Sequence, residues 1–96
     1  MNKAIKKKWL KALRSGKYTQ GFNQLRVGGD QYCCLGVLEE IEAGRIHNAT
    51  ANQPSRACLK RCGLDPDSQL IDDLAFKNDK LMWSFKQIAD WIEKNL

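Results

Sequence analysis

Proline occurs only twice and glycine seven times in the 96 residues, and no stretch is low in complexity, which argues against a disordered or collagen-like chain. Long apolar runs are also missing. The longest, Tyr32 to Leu38, falls far short of the roughly 20 residues a membrane-spanning helix needs, so no membrane partner is expected. The basic N-terminus is not followed by the apolar stretch of a signal peptide, so no cleaved leader is expected either. Histidine is reduced to His47 alone, which leaves no Ser–His or Cys–His constellation that spacing can identify. What remains is an 11.0 kDa chain, enough for a single domain spanning residues 1–96 with one modest core.

Acidic residues are absent from the first 26 positions. That segment carries Lys3, Lys6, Lys7, Lys8, Lys11, Arg14, Lys17 and Arg26, eight positive charges in all, whereas residues 27–96 hold the other eight bases and all eleven acids, a balance of −3. The formal +5 of the whole chain is therefore concentrated at one end. Such a field draws anions: nucleic acid, nucleotides or an acidic protein face.

Hydrophobic periodicity organises the chain. Ile5, Trp9, Ala12 and Leu13 fall on one arc of a helix over residues 2–15, with Lys3, Lys7, Lys11 and Arg14 opposite. Asn2 suits its N-cap and Gly16 its C-terminal stop. Residues 22–27 and 31–34 alternate like strands around Gly28-Gly29-Asp30, which predicts a β-hairpin over about 22–34. A lone hairpin is marginal, so it must pack on helices or meet a third strand. Leu35–Ala43 returns to helical spacing, residues 45–55 read as a polar loop, and 56–62 as a short helix closed by Gly63. Asp65-Pro66-Asp67 predicts a helix start with Pro66 near the first position, running to about Asn78. Ser84 lies three residues before Gln87, the spacing of a capping box, ahead of an amphipathic helix over 84–95. The fold class expected is α+β: three to five helices packed with one hairpin.

Chemistry-bearing patterns are few. Cys33, Cys34, Cys58 and Cys62 suggest zinc, with His47 between the pairs, but adjacent cysteines on a strand point to opposite faces, and buried thiols packing as small apolar groups are preferred. No metal or other cofactor is expected. Gly28-Gly29-Asp30 lacks the lysine spacing and strand-to-helix setting of a phosphate loop. Leu74–Trp91 has the outline of the first two helices of a helix-turn-helix. Its segment is rich in acid, and the chain ends about where a recognition helix would begin, so a helical hairpin is expected instead of base readout.

Trp9, the run Ala12-Leu13-Arg14-Ser15-Gly16, Tyr18, Gln20-Gly21, Leu25-Arg26, Asp30 and the run Tyr32-Cys33-Cys34-Leu35-Gly36-Val37-Leu38 form a recurrent pattern. Asn78-Asp79, Ser84-Phe85, Ile88-Ala89 and Ile92-Glu93 extend it towards the C-terminus. This pattern resembles a family of small proteins encoded by tailed bacteriophages and prophages. The resemblance implies an accessory protein working in the host bacterial cytoplasm, of the kind that acts against host enzymes or defences. It carries no catalytic or metal residue.

The leading expectation is a non-enzymatic binder of an anionic partner, either a nucleotide-type signal or a host protein. Its ligand-binding residues are expected where the basic helix meets the hairpin: Arg14 and Arg26 for phosphate, Lys17 for charge, Tyr18 for stacking and Gln20 for hydrogen bonding. One alternative is a nucleic-acid binder using Lys3, Lys7, Lys11 and Arg14 without base specificity. Another is a small enzyme using Cys33 or Cys34. Self-association into a homodimer would let so small a domain bury more surface.

Overall fold

A computed structural model describes all of residues 1–96. Five helices surround a small three-stranded sheet: α1 (Lys3–Arg14), β1 (Thr19–Gln20), β2 (Arg26–Val27), β3 (Gln31–Tyr32), α2 (Cys34–Ala43), α3 (Arg56–Arg61), α4 (Gln69–Asp79) and α5 (Phe85–Asn95). The expected α+β class is the one observed.

α2 is the central element, packed against α1, α3, α4 and β3. Its residues Cys34 to Glu39 are all buried, which explains why its sequence shows little amphipathic pattern: a helix covered on every side has no solvent face to mark. Gly36 is what allows β2 to approach so closely. A Cβ there would lie 1.9 Å from the Leu25 carbonyl oxygen, well inside van der Waals contact. α1 lies against α2 through Trp9, fully buried, whose indole N–H donates to the Cys34 carbonyl at 2.9 Å. α1 and α5 run antiparallel: Lys6 Nζ donates to the Glu93 carbonyl near the end of α5, while Leu13 and Arg14 lie beside Ser84–Lys86 at its start. That ammonium meets the electronegative end of the α5 dipole.

The sheet order is β1-β3-β2. β2 and β3 form the antiparallel hairpin, with Arg26 opposite Tyr32 and Val27 opposite Gln31. Gly28 and Gly29 turn the chain at φ +64° and +89°, the left-handed region that a tight hairpin turn requires. β1 is the third strand, parallel to β3 with Gln20 opposite Tyr32. The loop after α2 covers the outer edge of the hairpin, since the Leu25 and Arg26 N–H groups donate to the Ala51 and Ala49 carbonyls.

Two local expectations need correction. Cys33 and Cys34 are not strand residues: Cys33 is the N-cap of α2, its sulfur accepting from the Gly36 N–H at 3.3 Å, and Cys34 is already helical. Pro66 does not open α4 either. Asp65 Oδ1 accepts from the Asp67 N–H to make a turn, and the helix begins after Ser68, whose hydroxyl caps the Leu70 N–H. The serine is the better cap because its oxygen reaches an orphan donor of the first turn. At α5 the expected capping box is complete: Ser84 Oγ accepts from the Gln87 N–H, and Gln87 Oε1 from the Ser84 N–H.

Candidate functional site

The antiparallel pairing of α1 and α5 leaves a cleft where the chain leaves α1 and enters β1. Its volume is about 620 Å³, and its walls are Leu13, Arg14, Gly16, Tyr18, Gln20, Ser84, Phe85 and Lys86. A second furrow of about 210 Å³ is walled by Lys8, Lys11, Ala12, Ser15, Lys17 and Tyr18. Tyr18 lines both, so the two hollows adjoin at this residue. Arg14 and Lys86 line one, Lys8, Lys11 and Lys17 the other, and neither wall includes an aspartate or glutamate.

Each side chain is placed for a local reason. Gly16, at φ +77°, ends α1 and turns the chain so that Tyr18 folds back towards the helix. Tyr18 is half-buried and meets Tyr32 edge-to-face, with ring centroids 5.1 Å apart. Burial, with Glu40 and Tyr32 adding to it, raises the Tyr18 hydroxyl above its ordinary pKa, so it remains a neutral donor at physiological pH. Gln20 is anchored from its amide nitrogen, which donates to Asn78 Oδ1 at 2.9 Å and to the Trp83 carbonyl at 2.7 Å.

Arg14 is the most committed of the cations. Its Nη2 donates to Asp90 Oδ1 at 2.8 Å and to Glu93 Oε1 at 2.7 Å. Both bidentate edges of a guanidinium use that nitrogen, so Arg14 cannot grip a phosphate with two parallel bonds while it holds both carboxylates. The hydrogen bonds to Glu93 and Asp90 also raise its pKa. Its remaining N–H groups face a field already offset by two acids. The available charge therefore comes from the lysines. Lys8, Lys11, Lys17 and Lys86 are exposed and form no ion pair.

Of the residues expected to bind a ligand, Arg14, Tyr18 and Gln20 share the larger cleft, and Lys17 lines the furrow with Tyr18. Arg26 lies in β2 outside the walls of both, half-buried, its backbone N–H donating to Ala49. Lys3, Lys7, Lys11 and Arg14 are exposed together on α1, opposite buried Trp9 and Leu13. Ser84, Phe85, Lys86 and Lys8 were not among the expected residues. Lys8 was legible as the i−3 neighbour of Lys11. The three α5 residues come from about 65 positions further along, and nothing local signals their meeting with Tyr18.

A third groove, about 300 Å³ between Trp83 and Trp91, contains Asp90 beside Lys94. Lys77 Nζ stands 5.2 Å and 4.6 Å from the two indole centroids, so these rings already hold a cation.

The four cysteines are free thiols, all buried. Burial pushes Cys33 up to about 11 and Cys34 well above its ordinary value. Neither is a thiolate at neutral pH, as a nucleophile would need to be. Cys58 donates towards Glu42, which Arg61 also grips and holds below the usual carboxylate range. No cluster of three or more His, Cys, Asp or Glu side chains is placed to hold a metal ion, and no helix is long and apolar enough to cross a membrane.

No curated protein and no solved structure matches the chain. The family model described as Domain of unknown function (DUF8296) matches residues 1–62, and the chain belongs to that family.

Proposed function

We propose that this member of the DUF8296 family is a non-enzymatic binder of a phosphate-bearing ligand, held where the two clefts meet on Tyr18. The observation that carries the reading is the lining itself: four lysines outside any ion pair, Arg14 already held by two carboxylates, and one aromatic residue, Tyr18, common to both hollows. Lys17 and Lys86 would neutralise phosphate from opposite sides. The Tyr18 ring offers a stacking surface and its hydroxyl a donor, and Ser84 and the free oxygen of Gln20 add polar contacts.

The resemblance to small tailed-phage proteins supports a biological setting. In that setting the chain is an accessory protein of the host bacterial cytoplasm that counters defence, by sequestering a nucleotide-type signal or by occluding an acidic host protein.

Calorimetric titration with a panel of nucleotides and inorganic phosphate at low salt tests the binding. At least one nucleotide is expected to bind, and the double charge reversal Lys17→Glu/Lys86→Glu is expected to weaken it by tenfold or more. Absence of heat for every member of the panel at millimolar concentration would refute the reading. Native mass spectrometry of the protein from infected cells then identifies what it retains.

A further inference from the structure

The cationic surface does not end at the clefts. Lys3, Lys7 and Lys11 follow one another at intervals of four on α1, Lys8 lies beside that row, and Lys17 joins Lys8 and Lys11 in the furrow. All five are exposed, and none is in an ion pair. Asp90 and Glu93, on the neighbouring α5, are both held by Arg14. Lys11 of this row, with Lys8 and Lys17, walls the furrow that Tyr18 also lines. A mononucleotide would use only the Tyr18 end and leave the row idle.

Resting on the anion-binding reading above, we infer that the ligand is a short single strand of nucleic acid. Its backbone runs along the lysine row, and one base is set down on Tyr18. Steps of four residues on a helix advance about 6 Å, roughly two stacked nucleotides at about 3.4 Å each. The 12 residues of α1 thus cover about 18 Å, or about five nucleotides. Lysine supplies point charges without base-reading geometry, so recognition is of the backbone and insensitive to sequence. A strand is favoured over a duplex because an aromatic side chain beside a lysine-lined furrow can stack only on a base that is already free. The helical pair most like a duplex reader, α4 and α5, carries Asp72, Asp73, Asp79, Asp90 and Glu93, charges that repel a duplex backbone.

Fluorescence anisotropy with the intact protein tests this, using labelled oligothymidylates of two to twelve nucleotides, an eight-base-pair duplex and, as competitor, thymidine monophosphate. Affinity is expected to rise with length to about six nucleotides and to exceed that for the monophosphate by tenfold or more. With about four phosphates neutralised, it should fall roughly 50-fold between 50 and 200 mM salt. Lys8→Gln/Lys11→Gln, at exposed positions, should flatten the salt slope by about 1.4. Tyr18→Leu should weaken binding where Tyr18→Phe does not, with circular dichroism confirming that both fold. If the monophosphate binds as tightly as the octamer and salt has little effect, the strand is refuted while the small-ligand reading stands. Equal affinity for the duplex refutes the single strand. If neither monophosphate nor oligomer binds at 50 mM salt, both readings fall.

Discussion

Asn78 is completely buried and uses both ends of its amide. Its Oδ1 accepts from Gln20 Nε2 and from the Cys34 N–H, and its Nδ2 donates to the Gly21 carbonyl and to Asp79 Oδ1. Asp79 in turn accepts from the Asn23 N–H at 2.9 Å. The pair ties the end of α4 to β1, to the loop after it and to the start of α2. Truncation would orphan several buried partners at once, each costing about 1–3 kcal/mol. Asn78→Ala is therefore expected to lower the unfolding free energy by about 3 kcal/mol or more. Urea denaturation followed by tryptophan fluorescence measures it, and a loss below about 1 kcal/mol would mean that water replaces the amide. Because Gln20 is one of the partners, the same clasp sets the floor of the candidate site. The Asn78-Asp79 dipeptide is visible in the sequence, but its burial is not: on a helix it reads as a polar end.

Elements with local signals were the legible ones. Asn2 caps α1 through Ile5, Ser84 closes a reciprocal box with Gln87, and Gly16 and Gly63 stand at positive φ where helices stop. Each depends on residues within three or four positions of one another, which is the range that sequence spacing can report. α5 gives a direct check. Ser84→Ala removes the acceptor for the Gln87 N–H and is expected to destabilise the protein by about 1 kcal/mol, read as a shifted chemical-denaturation midpoint at unchanged slope. Since Ser84 also lines the larger cleft, ligand affinity should be measured beside it. The elements that escaped reading lack such signals. β1 is two residues long and pairs in parallel with a strand twelve positions away. The start of α2 was masked by a run of buried residues whose pattern fits strand or helix equally.

For the molecule as a whole, the nineteen-residue core includes all four cysteines and reaches from Trp9 to Ile92. With Cys33 raised to about 11 and all four thiols buried, modification depends on an opening that exposes them, although the Cys58 hydrogen bond lowers Cys62. An aromatic disulfide reagent at pH 8 is expected to find no fast-reacting thiol in the folded protein and four in denaturant. A thiol that reacts at once in the native state would reopen the cysteine-enzyme reading. The charge distribution follows the same division of labour. The sequence places eight bases and no acid in the first 26 residues, but the packing of α1 on α5 engages two of them, Arg14 in a double ion pair and Lys6 at the Glu93 carbonyl. The exposed lysines are thereby left to attract the ligand.

By itself, then, the sequence determined the helices, their caps, the hairpin turn and the one-sided charge, because each is written in spacings shorter than two helical turns or in composition. Tertiary structure decided which cations are free, which polar residues are buried and which distant segment completes the cleft around Tyr18. Those depend on contacts between positions 60 or more residues apart, such as Gln20 with Trp83 and Arg14 with Asp90, and no local pattern encodes a meeting at that distance.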